Sequence, residues 1–177
     1  DLKNTKHAKN IIKKYDLEIL LLEYIGAGSI AQVYKCIYNN KIYAIKITHP
    51  NIREKIRANI ITIGSILQIC KLLHLLEGMP PINLNVFFVD HLNQTDLNIE
   101  AKNTIYLYEK FTNSVITDIH VPEIIKYNQD YIIESYINGC NISDLEEPYK
   151  NEAMIKRLSG FMEMLFSYDI LFGDSHD

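Results

Sequence analysis

A chain of 177 residues and 20.5 kDa holds one domain, or two small lobes around a cleft, and excludes a many-domain protein. Apolar residues at 47% and charged residues at 23% place it among globular proteins rather than disordered ones. A formal charge of -4 with a pI near 5.9 supplies no general attraction to nucleic acid or anionic lipid, so nucleic acid is not among the expected partners.

In chain order, Thr5 to Tyr15 reads as a short helix with Ala8, Ile11, Ile12 and Tyr15 on one face, and Glu23 to Ile25 as a strand entering a glycine loop. From Val33 to Ile47 two β-rich runs, divided by Asn39 and Asn40, form a hairpin signature. Pro50 suits the first turn of a helix, along which Ile52, Ile56, Ile60, Ile63, Leu67, Cys70 and Leu73 recur at helical spacing. Gly78 with Pro80 and Pro81 ends it. A second helical stretch runs from about Leu84 to Phe111, interrupted near Asn93 to Asp96. Ile124-Ile125 and Tyr131 to Ile133 read as strands around a turn at Asn128-Gln129, with Gly139 as the stop, and Asn151 to Tyr168 as helix. The last residues, Ile170 to Asp174, enter a short strand or turn. Strands and helices segregate by region, which argues for an α+β fold rather than a doubly wound one.

Cys36, Cys70 and Cys140 are an odd number, far apart, without metal-ligand spacing, and fit a reducing compartment better than a disulfide framework or a zinc site. The longest apolar run, Ile60 to Leu76, is interrupted by Gln68, Lys71 and His74, and reads as a helix buried in protein rather than a bilayer span. The sequence opens at Asp1 with no cleavable signal in view, and any address upstream of it is lost, so localisation is not legible from this end. His7, His49, His74, His91 and His120 are scattered and are assigned no chemistry, and Tyr106 and Tyr108 read as packing residues.

Chemistry is concentrated first in Gly26-Ala27-Gly28-Ser29-Ile30-Ala31-Gln32-Val33. Small residues let backbone N–H groups approach phosphate oxygens, and Val33 on the next strand can cover an adenine ring. A dinucleotide fingerprint needs a helix after the glycines; a strand follows here, as in the kinase-type loop, with Ala31 at the third glycine's position. By itself the loop fits a tight turn between strands equally well. The second signal is Lys46, in Tyr43-Ala44-Ile45-Lys46 one strand later. A lysine among apolar neighbours is costly unless an anion meets it, and the α and β phosphates of a nucleotide would do so.

These residues carry a family resemblance. Gly28 to Lys35, then Ala44-Ile45-Lys46-Ile47 and His49-Pro50-Asn51-Ile52, resemble the UbiB-like atypical kinases, also called aarF-domain-containing kinases. The resemblance runs through almost the whole chain and implies a protein-kinase-like pair of lobes with ATP in the cleft. It implies an N-lobe of antiparallel sheet plus inserted helices over residues 1–140, including the hinge, and the beginning of a helical C-lobe over 141–177, truncated at the catalytic loop. Lys46 resembles the phosphate-binding lysine and Glu100 the helix glutamate that pairs with it. Asp96 resembles the last residue of the family's Glu-x-Asp motif, whose first position is here Gln94, and Gly26-Ala27-Gly28 is closer to an ordinary kinase loop than the family's alanine-rich version.

Ser135 to Gly139 resembles the hinge, where the Ser135 carbonyl and the Ile137 N–H would hold the adenine edge; Glu134 then falls where an apolar gatekeeper is expected, and a register shifted by one residue would remove that conflict. Phe172 to Asp177 resembles the catalytic loop, with Asp174 as base or hydroxyl-orienting carboxylate, Phe172 in place of His, and Asp177 where Pro is usual. The asparagine and the later metal-binding aspartate expected downstream, and the Lys-x-Gly-Gln extension expected upstream, are absent from the 177 residues, so the segment alone is expected to be inactive. The implied cofactors are ATP and Mg2+. A lipid or quinone-precursor molecule, peripheral membrane association and a mitochondrial or membrane location follow from the resemblance only. The expected function is phosphoryl transfer or ATP hydrolysis; the alternative is a nucleotide-binding pseudokinase or regulatory module without turnover.

Overall fold

The computed structural model describes residues 5–75, 84–114 and 119–170. Five strands form one antiparallel sheet: β1 (Ile19–Ala27), β2 (Ala31–Tyr38), β3 (Lys41–Thr48), β4 (Ile124–Asn128) and β5 (Tyr131–Ser135), in the order β1-β2-β3-β5-β4. Among the described residues five α-helices accompany it, α1 (Thr5–Lys14), α2 (Ile52–Leu72), α3 (Leu84–Asn93), α4 (Leu97–Thr112) and α5 (Tyr149–Tyr168), with a 3₁₀ turn at Ile142–Asp144. The β2–β3 hairpin turns on Asn39 and Asn40, both at positive φ (48° and 59°). A two-residue turn needs that conformation to match the strand twist, and asparagine tolerates it because its short amide bonds locally.

Each face of the sheet has its own helix. On one face, Ala8 and Ile11 of α1 and Leu17 after it bury against Tyr34, Cys36, Ile45, Ile47, Tyr131 and Ile133. Burial pushes the Cys36 thiol up to about 11, so at neutral pH it packs as a small apolar group. The end of α1 is tied to the β4–β5 turn by Lys14 and Tyr15, whose side chains each reach Asp130 Oδ2 at 2.7 Å. On the opposite face, Leu97 and Ala101, one turn apart on α4, bury against Ile132 with Ile124 beside them. This smaller cluster fixes α4 over the β5–β4 side of the sheet.

The interruption expected between Asn93 and Asp96 separates α3 from α4. Asp96 caps α4 by accepting from the Asn98 N–H at 3.0 Å, leaving one orphan donor of the first turn satisfied. Two expectations are corrected. The helix over Ile52–Leu72 has no buried residue, and Ile61, Ile66, Ile69 and Leu72 are exposed, whereas the sequence predicts burial in protein. Isoleucines surround its axis, but α3 is the helix packed along it. No helix of the described residues is long and apolar enough to cross a membrane. Pro50 also stands before the helix rather than in its first turn, because Asn51, at φ 56°, intervenes as the N-cap residue.

Candidate functional site

The site begins with strand alternation. Ile45 and Ile47 enter the α1-side core, so Ala44, Lys46 and Thr48 point to the α4 side. The registers place Val33 and Ile132 on either side of Lys46, and Lys35 and Glu134 on either side of Ala44. Two successive rows thus cross the sheet on the α4 side: Val33, Lys46 and Ile132, then Lys35, Ala44 and Glu134.

Lys46 meets Glu100 of α4, its Nζ donating to Oε1 at 2.6 Å and to Oε2 at 2.8 Å. The residues are 54 apart in sequence and are brought together because Leu97 and Ala101, flanking Glu100 on α4, seat the helix on Ile132. The side chains are 28% and 43% exposed, so water screens the pair and its contribution to stability is small. Its effect is to hold an amine in one position beside the β2 and β3 strands.

The loop between β1 and β2 lies at the Ala31–Thr48 end of these rows. Its tip, Ala27 to Ser29, is exposed, and a Cβ built on Gly26 or Gly28 would meet nothing within 4 Å. The main chain there is open to a ligand. The Gly28 N–H closes the turn on the Ala31 carbonyl at 2.9 Å. His49, to which the sequence assigns no chemistry, straps the loop down: its N–H donates to the Ile30 carbonyl at 2.8 Å, and its Nε2 lies 2.9 Å from the Gly28 carbonyl. A carbonyl only accepts, so Nε2 carries the proton in this contact. The sequence signal for that role was adjacency, with His49 directly after the lysine strand. His49 also lines a hollow of about 350 Å³ with His7, Thr48, Arg53 and Asp130, which Lys46 and Glu100 do not line.

At the other end of the rows β5 ends at Ser135, whose N–H donates to the Glu123 carbonyl at 2.9 Å while its Oγ accepts from the Glu123 N–H at 3.0 Å. Tyr136 lies under the Lys35 amine, 4.3 Å from the ring centroid, and Ile137 is exposed. The register pairs Glu134 with Ala44 and directs its carboxylate to the Lys46 side. Burial pushes the Glu134 carboxyl up to about 6, nearby Glu100 adds to the rise, and Lys46 opposes it. Gln32 is buried with its Nε2 unpartnered, and Asp96, besides capping α4, lies 3.9 Å from Arg53 Nη2. Asp174 lies outside the described residues. The sheet and α4 therefore gather the loop, Lys46, Glu100 and Glu134, with Ser135 and Ile137 at the end of the second row.

Glu134 carries a testable pH dependence. Its folded value lies above the ordinary 4.5, so between about pH 4.5 and 6 the folded state binds more protons than the unfolded one, and its stabilising contribution is lost as pH rises through that window. Glu134→Gln abolishes the loss. The variant is expected to gain roughly 2 kcal/mol over wild type on going from about pH 4 to about pH 7.5, read by urea unfolding at the two pH values. An equal difference at both would mean that Glu134 does not titrate in this manner.

Among the described residues no group of three or more His, Cys, Asp or Glu side chains gathers to hold a metal ion. What the sheet and α4 provide is exposed loop backbone and an ammonium held by a carboxylate.

The chain is 28% identical over 177 residues to a mitochondrial ABC1 family protein of Saccharomyces cerevisiae, covering 86% of this chain and 27% of that protein. It is 28% identical over 163 residues to the Vibrio cholerae protein named Probable protein kinase UbiB, covering 86% of this chain and 30% of the relative. The chain thus spans less than a third of the length of these relatives. A solved complex of Rv3197 with erythromycin from Mycobacterium tuberculosis shares the fold, with a TM-score of 0.56 at 19% identity over 70% of this chain and 32% of that one. The architecture is that of a kinase-like N-lobe, an antiparallel sheet with helices. The description ABC1 atypical kinase-like domain fits residues 11–177, and the chain belongs to that family.

Proposed function

We propose that the chain forms the nucleotide-binding part of an ATP-dependent atypical kinase or ATPase. The observation that carries this reading is the two-bond contact between Lys46 and Glu100, two residues along β3 from the end of the sheet that bears the open glycine loop. An ammonium held by a carboxylate on a packed helix is oriented before a ligand arrives, and the phosphates of a nucleotide are the anions that a backbone loop and such a lysine bind together. Residues 1–140 are read as the N-lobe, with Gly26 to Val33 over the phosphates and the Ser135 carbonyl and Ile137 N–H on the adenine edge. Residues 141–177 begin a helical C-lobe in which Asp174 orients the acceptor hydroxyl or water.

Magnesium fits the reading through the phosphates it would neutralise. A lipid or quinone precursor as phosphoryl acceptor, peripheral membrane attachment and a mitochondrial or membrane location follow only from kinship. One observation favours a second reading, a nucleotide-responsive module without turnover: Gln94 stands where the family motif has a carboxylate, and Asp96 is occupied as the α4 cap.

The test uses the full-length polypeptide that contains this segment. Mg·ATP is expected to raise its melting temperature, and release of γ-phosphate, or its transfer, is expected above the background rate. Protection without turnover selects the module reading. Absence of protection removes both.

A further inference from the structure

The base end of the cleft contains a carboxylate that the nucleotide reading does not use. Glu134 faces the same side of the sheet as Lys46 but one row farther from the glycine loop, about 7 Å along β5 from Ile132. Phosphates gripped at the loop end therefore do not meet it; the far end of the ligand does. Its row neighbour Ala44 is the smallest side chain in the two rows, so at this point the sheet projects least toward the apolar Val33 and Ile132 of the next row and the hinge backbone. On the other side of Ala44, the Lys35 amine is turned onto the Tyr136 ring. Among the described residues, no hydrogen bond or ion pair is formed by the Glu134 carboxylate, although it is half-buried. The Glu134 oxygens are not among the buried atoms left without a partner, so water reaches them in the free protein and a ligand N–H can take its place.

We propose that Glu134 is a specificity-determining residue that selects a nucleobase presenting an exocyclic amine toward the back of the cleft, adenine, over a 6-oxo purine. The proposal rests on the nucleotide reading above. Adenine's amine has two N–H bonds: the Ser135 carbonyl takes the one along the base edge, and the other is directed inward, toward Glu134. Hypoxanthine and guanine place a carbonyl oxygen at that point, so two acceptors would face each other across a partly dry gap. A site built to accept from a ligand N–H rejects the analogue that lacks it more strongly than a site built on shape alone.

The experiment measures the dissociation constants of Mg·ATP and Mg·ITP by titration calorimetry on the full-length protein, for wild type, Glu134→Leu, Glu134→Gln and Lys46→Ala. Wild type is expected to prefer ATP by at least about tenfold, the range of one hydrogen bond to a charged acceptor. Leucine removes the acceptor, and glutamine can turn its amide to donate to the 6-oxo group. Both are expected to reduce the ATP-to-ITP preference by about fivefold or more, mainly through tighter ITP binding. Either variant serves if the other does not fold. A smaller reduction in the folded variants overturns the assignment of Glu134, while ATP affinity that still depends on Lys46 keeps the nucleotide reading. Wild type that binds neither nucleotide, or Lys46→Ala that binds both as wild type does, overturns the reading itself and the inference with it.

Discussion

Lys46→Ala is expected to weaken ATP binding by about a hundredfold while leaving the unliganded protein nearly as stable as wild type. Two magnitudes give this contrast. The ammonium is expected to make charge-assisted contacts with phosphate oxygens, each contributing about 1.5–3 kcal/mol, and a hundredfold in affinity is about 2.7 kcal/mol. In the free protein its partner Glu100 is 43% exposed, so losing the pair leaves a carboxylate that water can solvate. At an ATP concentration about 100 times the wild-type dissociation constant, ligand stabilisation of about 2.7 kcal/mol should fall nearly to zero in the variant. Glu100→Gln is expected to fall between the two: Lys46 keeps its charge but loses the carboxylate that orients it. Melts with and without Mg·ATP read all three proteins. Undiminished protection of Lys46→Ala would remove the basis of the proposed function.

A second large effect distinguishes the two faces of the sheet. Ile45 and Ile132 are both essentially inaccessible, at 0% and 1%, yet Ile45 packs under α1 while Ile132 seats Leu97 and Ala101 of α4. Truncating either to alanine removes buried methyl groups and leaves a cavity, at an expected cost of about 2–5 kcal/mol in urea unfolding. This is a large part of the total stability of a domain of this size. The nucleotide responses should differ. Ile132→Ala loosens the helix that carries Glu100, so ATP affinity of the folded fraction is expected to drop several-fold, about 1 kcal/mol, whereas Ile45→Ala should leave it within about twofold. Equal affinities in the two variants would mean that α4 does not need its seat on Ile132 to position Glu100.

Sequence determined the local part of this protein. Asn39-Asn40 between two β-rich runs fixed a hairpin, because a two-residue turn restricts its central residues to positive φ. The polar break around Asp96 fixed the start of α4, because a helix N-terminus needs an acceptor for its free N–H groups. The glycine loop followed by a strand and Lys46 marked where an anion could bind. Pairing Lys46 with Glu100 came from family likeness, not from spacing: 54 residues and two other helices lie between them, and a contact over that separation is set by how α4 lies on the sheet.

Tertiary structure decided the rest. The burial expected of the run from Ile60 to Leu76 is not met in its helical part, Ile60 to Leu72, because helical periodicity states that an apolar surface exists but not which neighbour covers it. His49 holds down the loop only because β3 delivers it beside the Gly28 and Ile30 carbonyls. Glu134 was visible in the sequence as a charge at a position expected to be apolar, with its register open by one residue. One residue in a strand turns a side chain to the opposite face, so only the pairing of β5 with β3 could put its carboxylate on the side of Lys46.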